Sequence, residues 1–215
     1  MERLRMRVSR AAQQHLRNLT DHGFDVFSPE DFRSVPKMVA ETGRPAQTPM
    51  LSIDRNDFVR SDAFWLFLMR DGVAVGGCAA RRYDLAGESL ESYLRRTSKN
   101  QYMREEDPII SVAKPLRRIT GRLIYLGELQ LHKSVRGNVS VLSSFFHMAQ
   151  ALAALEWEFD WIYAFVPLAH RRLVADYGFN FYIKNAITWH DPPPPGRLND
   201  HVLVAIDIES FSHLW

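Results

Sequence analysis

The spacing of apolar positions changes several times along the chain, and each change marks an element. Residues 63–69 (AFWLFLM) and 73–83 (VAVGGCAARRY) are apolar runs separated by Asp71-Gly72. Asp-Gly between such runs predicts a tight hairpin, because both turn positions take positive φ. RLIYLGELQL (122–131) predicts a longer strand, interrupted by Gly127. Glycine inside a strand marks a bulge or a close backbone approach. FDVF (24–27), DWIYAFVP (160–167), AITWH (186–190) and VLVAIDI (202–208) complete the strands.

Other stretches follow the helical period. In residues 1–22, Leu4, Val8, Ala11, Ala12, His15, Leu16 and Leu19 share one face. Ser28-Pro29-Glu30-Asp31 carries an N-cap, an early proline and first-turn acids, so a helix is expected to about Glu41, ended by Thr42-Gly43. Val141–Trp157 is a helix with Leu142, Phe145, Phe146, Ala149, Leu152 and Ala153 inward. AHRRLVADYGF (169–179) predicts a shorter helix stopped by Gly178. Residues 84–118 are polar and charged, with one helix signalled by Leu90, Tyr93, Leu94 and Tyr102, and read as an insertion or lid. No repeat or linker divides the chain, so 1–215 reads as a single domain of α/β or α+β class.

Composition then removes several function classes. Hydrophobic residues make up 46% and charged residues 24% of 215, enough for an ordinary core. The one cysteine, Cys78, excludes a disulfide framework and reads as a small buried residue. With 27 basic and 25 acidic residues the net charge is +2, which argues against nucleic acid as a partner. No apolar run approaches the ~20 residues that span a bilayer, so no membrane partner is expected. The N-terminus lacks the apolar centre of a secretory signal, and a cytoplasmic setting is expected. Its arginines (Arg3, Arg5, Arg7, Arg10, Arg17) are compatible with a transit peptide by composition. An amphipathic helix docked on the domain or on a second copy is the better reading, which leaves a homodimer open. His132, His147, His170, His190 and His201 show no metal spacing, and no metal is expected.

The segment GELQLHKSVRGNVSVL (127–142) runs from a strand through Arg136-Gly137 into a helix. A helix start exposes backbone amides without intrahelical partners, and the helix dipole adds partial positive charge there. Such a turn holds phosphate. Asn138, Val139, Ser140, Val141 and Leu142 supply the amides, and Arg136 or Lys133 adds charge. The other reading is an ordinary connection capped by Ser140.

This segment resembles the acetyl-CoA motif of the GCN5-related N-acetyltransferase (GNAT) superfamily, and the likeness extends over about residues 24–208. Leu131 holds the strand-end place, Arg136 the Arg/Gln place, and Gly137 the glycine of the common Arg-Gly pair. Val139 and Val141 depart from the family's two small residues. The resemblance implies a mixed, mainly antiparallel twisted sheet flanked by helices, whose strands 122–131 and 160–167 splay around the pantetheine arm. It implies acetyl-CoA or a longer acyl-CoA as co-substrate, and a small-molecule or peptide amine as acceptor. Attack would be direct, in a ternary complex. Backbone groups of Leu129 and Leu131 would bond the pantetheine, and one N–H would stabilise the oxyanion. Glu128 is the candidate base, with His132 second. The family's usual tyrosine place is Val174, so Tyr177 is carried as candidate acid, with Tyr163 or water as alternatives. Packing beside Phe179 and Phe181 is the competing reading of Tyr177. The insertion and loop 44–62 would shape the acceptor site, where Arg81, Arg82, Arg95 and Arg96 hint at an acidic acceptor or carrier. Loss of the tyrosine and the small residues keeps a second class in view: a catalytically degenerate protein of this fold, acting as a CoA-binding sensor or interaction module.

Overall fold

The computed structural model describes residues 2–174 and 176–215. A seven-stranded sheet runs in the order β1-β2-β3-β5-β6-β9-β7. Its strands are β1 (Asp25–Phe27), β2 (Ala63–Arg70), β3 (Val73–Asp84), β5 (Arg122–Leu131), β6 (Trp161–Pro167), β7 (Phe181–Ile183) and β9 (His201–Asp207). Only β5 and β6 are parallel; the other neighbours are antiparallel. β4 (Ile109–Val112) and β8 (Ile187–Trp189) form a separate antiparallel pair. This is the mixed, mainly antiparallel sheet flanked by helices that the sequence implied.

β2 explains its unbroken apolar run. Phe64, Leu66 and Leu68 enter one core, while Ala63, Trp65 and Phe67 enter the other. A strand covered on both faces needs no polar alternation. Asp71 and Gly72 both have positive φ, 51° and 76°, as the predicted hairpin turn requires.

The first core lies beneath α1 (Glu2–Asp21), α4 (Val139–Glu156) and α5 (Ile208–Leu214). α1 packs on α4 through Leu4, Val8, Ala12 and Leu19, all buried. Arg5 donates to the Leu155 carbonyl at 2.5 Å and Arg7 to that of Ser212 at 2.9 Å. The helix is therefore docked on its own domain. Leu16, expected on the inner face, is exposed. α4 is long and apolar enough by composition to cross a membrane, but 44% of it is buried here. Its apolar side chains are accounted for by contact with the sheet and α1. The second core lies beneath α2 (Val35–Glu41) and α3 (Leu90–Gln101).

Four expectations change. The helix expected from Ser28 begins later: Asp31 caps a 3-10 turn at Phe32–Ser34, and α2 follows. Residues 169–179 do not form the expected helix; Leu168–Leu173 is a 3-10 segment, and Ala175 lies outside the described residues. The insertion carries β4, paired with β8, as well as the one helix expected, α3. The chain beyond Asp207 turns into α5, whose start is capped by the Asp207 side chain.

Candidate functional site

β5 and β6 pair only at Leu123–Trp161, Ile124–Ile162 and Tyr125–Tyr163. Beyond that point they part, while β6 continues along β9 to Pro167. The splay that the resemblance implied is present, and it opens a cleft between Leu126–Gln130 and Ala164–Pro167. The cleft contains a cavity of about 450 Å³. A second hollow of about 410 Å³ adjoins it and shares Leu129, Gln130, His170 and Tyr177. That second hollow reaches Arg136, Gly137, Asn138, Val139 and Leu142. One continuous groove thus links the α4 turn to the middle of β5.

The middle of β5 is bulged. Gly77 faces Gln130 and Ala79 faces Gly127, so Glu128 and Leu129 together oppose Cys78. Glu128 has φ +65°, an uncommon conformation for a residue with a side chain. Gly127 precedes it because a Cβ there would lie 2.8 Å from Leu51 and 3.0 Å from the Tyr125 hydroxyl.

The bulge turns the Glu128 carboxylate into the cleft, where its side chain is 3% exposed. Oε1 accepts the Thr48 amide at 2.6 Å. Arg44 Nε lies 3.2 Å from Oε2, an ion pair without hydrogen-bond alignment, so Oε2 accepts no hydrogen bond among the described residues. Burial raises the Glu128 pKa above the ordinary 4.5, although Arg44 and the Thr48 amide pull it down. The group lines the cavity, has a raised pKa, and carries on Oε2 an oxygen without a hydrogen-bond donor, as a general base needs.

Tyr177 is buried and lines both hollows. Burial raises its pKa well above 10, so its hydroxyl is protonated at neutral pH and can donate. Its ring packs on Phe146 at 4.3 Å, and its carbonyl accepts from Gln150. Of the partners expected from sequence, Phe179 shares the Phe146 ring with Tyr177, whereas Phe181 packs on Trp161. Val174 is a buried core residue. Tyr163 is buried on the other face of the sheet, against Tyr83 and Tyr125. His132 bonds Ser134 and lines neither hollow. The Cys78 thiol is pushed up to about 12 by burial, with the nearby Glu128 charge adding to it, which fits a structural role.

At the turn the amides divide. The Asn138 side chain caps α4 by accepting the Val141 amide at 3.1 Å, and Leu142 N–H bonds the Asn138 carbonyl. These two expected phosphate donors are already used. The amides of Gly137, Asn138, Val139 and Ser140 have no such partner among the described residues. Gly137 has φ +96° and open space where a Cβ would stand. Ser140 is not the cap; its hydroxyl meets Asn18 of α1 at 3.1 Å. Arg136 donates through Nε to the Leu131 carbonyl at 2.8 Å, which secures the strand end. Leu131 itself is paired with Gly76, whereas Leu129 lies in the bulge and outside the ladder. Val139 is exposed at the groove, and Val141 is buried in the core.

Loop 44–62 supplies Arg44 and Thr48 to the cleft, as expected. The insertion contributes no lining residue; that side of the cavity is formed by Gly196, Arg197, Leu198 and His201. The arginines that hinted at an acidic partner are engaged within the chain. Arg82 pairs with Asp62, Arg95 with Glu91 and Asp107, and Arg96 with Glu88. Arg81 bonds the Met50 carbonyl and Asn56.

No described protein family matches this sequence, and no curated protein does. Solved structures do show likeness. FeeM, an N-acyl amino acid synthase from uncultured soil microbes, is 11% identical, with 87% of this chain and 92% of that chain covered and a TM-score of 0.49. Arabidopsis thaliana Naa50, in complex with the bisubstrate analogue CoA-Ac-MVNAL, is 12% identical over 86% of this chain and 99% of that chain, at 0.47. An agmatine N-acetyltransferase is 10% identical over 86% and 100%, at 0.49. The likeness is distant, and the cleft's own geometry carries the functional reading.

Proposed function

We propose that the protein transfers an acetyl or longer acyl group from a CoA thioester to an amine. The observation that carries this is the groove itself. It starts at unpaired helix-start amides, runs between splayed strands and ends at a buried carboxylate with one oxygen free of hydrogen bonds. The residues fit such a co-substrate. The amides of Gly137–Ser140 and the α4 dipole suit a diphosphate. The bulged backbone at Leu129, outside the ladder, suits an amide-bearing arm. Bound there, a thioester would supply an acyl carbon activated toward attack.

The chain's own residues then divide the work. Glu128 takes a proton from the acceptor amine through Oε2, leaving it neutral and nucleophilic. Arg44 and the Thr48 amide hold the carboxylate in place. Tyr177, protonated at neutral pH, faces the same groove and can return a proton to the departing thiolate. Phe146, Ala164 and Phe179 form apolar wall and exclude water. Among the described residues none is placed as a covalent nucleophile, so direct attack is favoured.

Purified protein with acetyl-CoA and a panel of amines should release free thiol. Calorimetry should show acetyl-CoA binding that Arg136→Ala weakens. Absence of binding by acetyl-, succinyl- and long-chain CoA at millimolar ligand would overturn the reading.

A further inference from the structure

The cavity beside Glu128 contains a second buried ionic group that the transfer chemistry does not use. Arg197 lies in the loop between β8 and β9 and is 6% exposed. Its guanidinium is held by neutral groups: Nε donates to the Tyr102 hydroxyl, and its carbon lies 5.8 Å from the Tyr102 ring and 5.4 Å from the Phe165 ring. It forms no ion pair among the described residues, although every other buried or half-buried charge at this site has one. Burial opposes its charge, Tyr102 and Tyr125 beside it favour the charge, and a guanidinium stays protonated at any ordinary pH.

The charges around the cavity do not balance. Glu128 is already matched by Arg44. His201 is neutral at physiological pH, because burial and then Arg197 bring its pKa down to about 4. Its Nδ1 accepts the Leu198 amide, so the ring has no charge to offer Arg197. His170 is exposed at the groove. One positive charge is left over, buried and facing the space in which an acceptor must sit. A buried charge without a counter-ion is costly, and a planar guanidinium is suited to a carboxylate held by two bonds.

Resting on the acyl-transfer reading, we infer that the acceptor is an amine that also carries a carboxylate, such as an amino acid, with the carboxylate seated on Arg197 and the amine on Glu128. A carboxylate there completes the pairing that the chain leaves open. It also orients the amine without drawing on Glu128, which stays free for the proton.

The test uses matched probes: phenylalanine against phenethylamine, leucine against isopentylamine, and arginine against agmatine. Two readouts are taken on the full chain, namely thiol release from acetyl-CoA and calorimetric binding to the protein saturated with unreactive desulfo-CoA. The carboxylate member of the best pair should be favoured by about 10–100-fold, the range of one to two charge-assisted hydrogen bonds. Arg197→Met should bring that ratio toward one, and Arg197→Lys should leave an intermediate ratio. Equal or reversed preference in the wild type overturns the inference without any variant. So does a variant that lowers both members in proportion, which is the signature of a structural loop anchor. Thiol release without carboxylate preference removes the inference and keeps acyl transfer. Carboxylate-selective binding without thiol release removes acyl transfer and keeps the role of Arg197.

Discussion

Glu128 bears two local costs at once. Its φ of +65° is disfavoured for any residue with a Cβ, by about 1–2 kcal/mol. Its carboxylate is also buried, and its raised pKa means that desolvation outweighs the Arg44 pair and the Thr48 amide. Sites that keep such costs are where function is found. Two outcomes follow for Glu128→Gln. Turnover should fall by ~10²–10⁴-fold, more than CoA affinity does, and the acidic limb of the pH–rate profile should flatten. Stability should move the other way. A carboxylate whose folded pKa is raised destabilises the fold as pH rises through its unfolded value, so at pH 7 the neutral variant should melt no lower than wild type. A clear fall in Tm would mean that the Arg44 pair dominates instead. Sequence showed this acid and the Gly127 irregularity beside it. It pointed to loop 44–62 but not to Thr48 within it, 80 residues away, and it missed Arg197, 69 residues away in a proline-rich loop, because contacts between distant loops leave no local pattern.

Among the elements, the turn into α4 was legible as strand, basic turn and helix, but its two valines are not equivalent. Val139 is 56% exposed at the groove, while Val141 is fully buried. Val139→Gly should therefore fold normally, at a helix cost of ~1 kcal/mol or less, and should tighten acetyl-CoA binding as bulk leaves the approach. Weaker binding by a folded variant would make Val139 a contact for the pantetheine. Val141→Gly should lose ~2 kcal/mol or more from cavity formation and gain no affinity, since its amide is already bonded by Asn138. Denaturant melts separate the two. The expected helix at 169–179 failed for a related reason. Its apolar spacing is satisfied by a 3-10 segment and turns that bring Tyr177 to the groove, so periodicity alone could not tell the two forms apart. β4 was hidden because its partner, β8, lies 75 residues further on and its own four residues carry little pattern.

At the scale of the molecule, the Asp-Gly hairpin made the β2–β3 pairing legible, but the order of the seven strands, with β5 in the middle, was not. Nor was the placement of α1, since its apolar face would suit any apolar surface. The structure gives that placement an acid sensitivity. His15 of α1 stacks on His147 of α4 at 5.0 Å, with Trp215 edge-on and Ser144 3.4 Å from Nδ1. Burial, and then His147, lower the His15 pKa to about 4; burial lowers that of His147 as well. Both rings are therefore neutral in the folded protein at pH 7. On acidification the unfolded chain takes up protons first, near its ordinary 6.5, and the folded chain resists until about 4. Stability should fall across that window as pH drops, and the contribution should level off below it. Carboxylates such as Asp160, whose pKa is lowered by its Arg122 hydrogen bond, add their loss only at more acid pH. His15→Phe keeps an aromatic ring on His147 but removes one titrating group. Thermal melts followed by circular dichroism from pH 7 to 4 should therefore show a shallower decline for this variant, with the curves converging toward neutral pH. Parallel curves over the whole window would show that protonation at the α1–α4 seam does not govern how the molecule opens in acid.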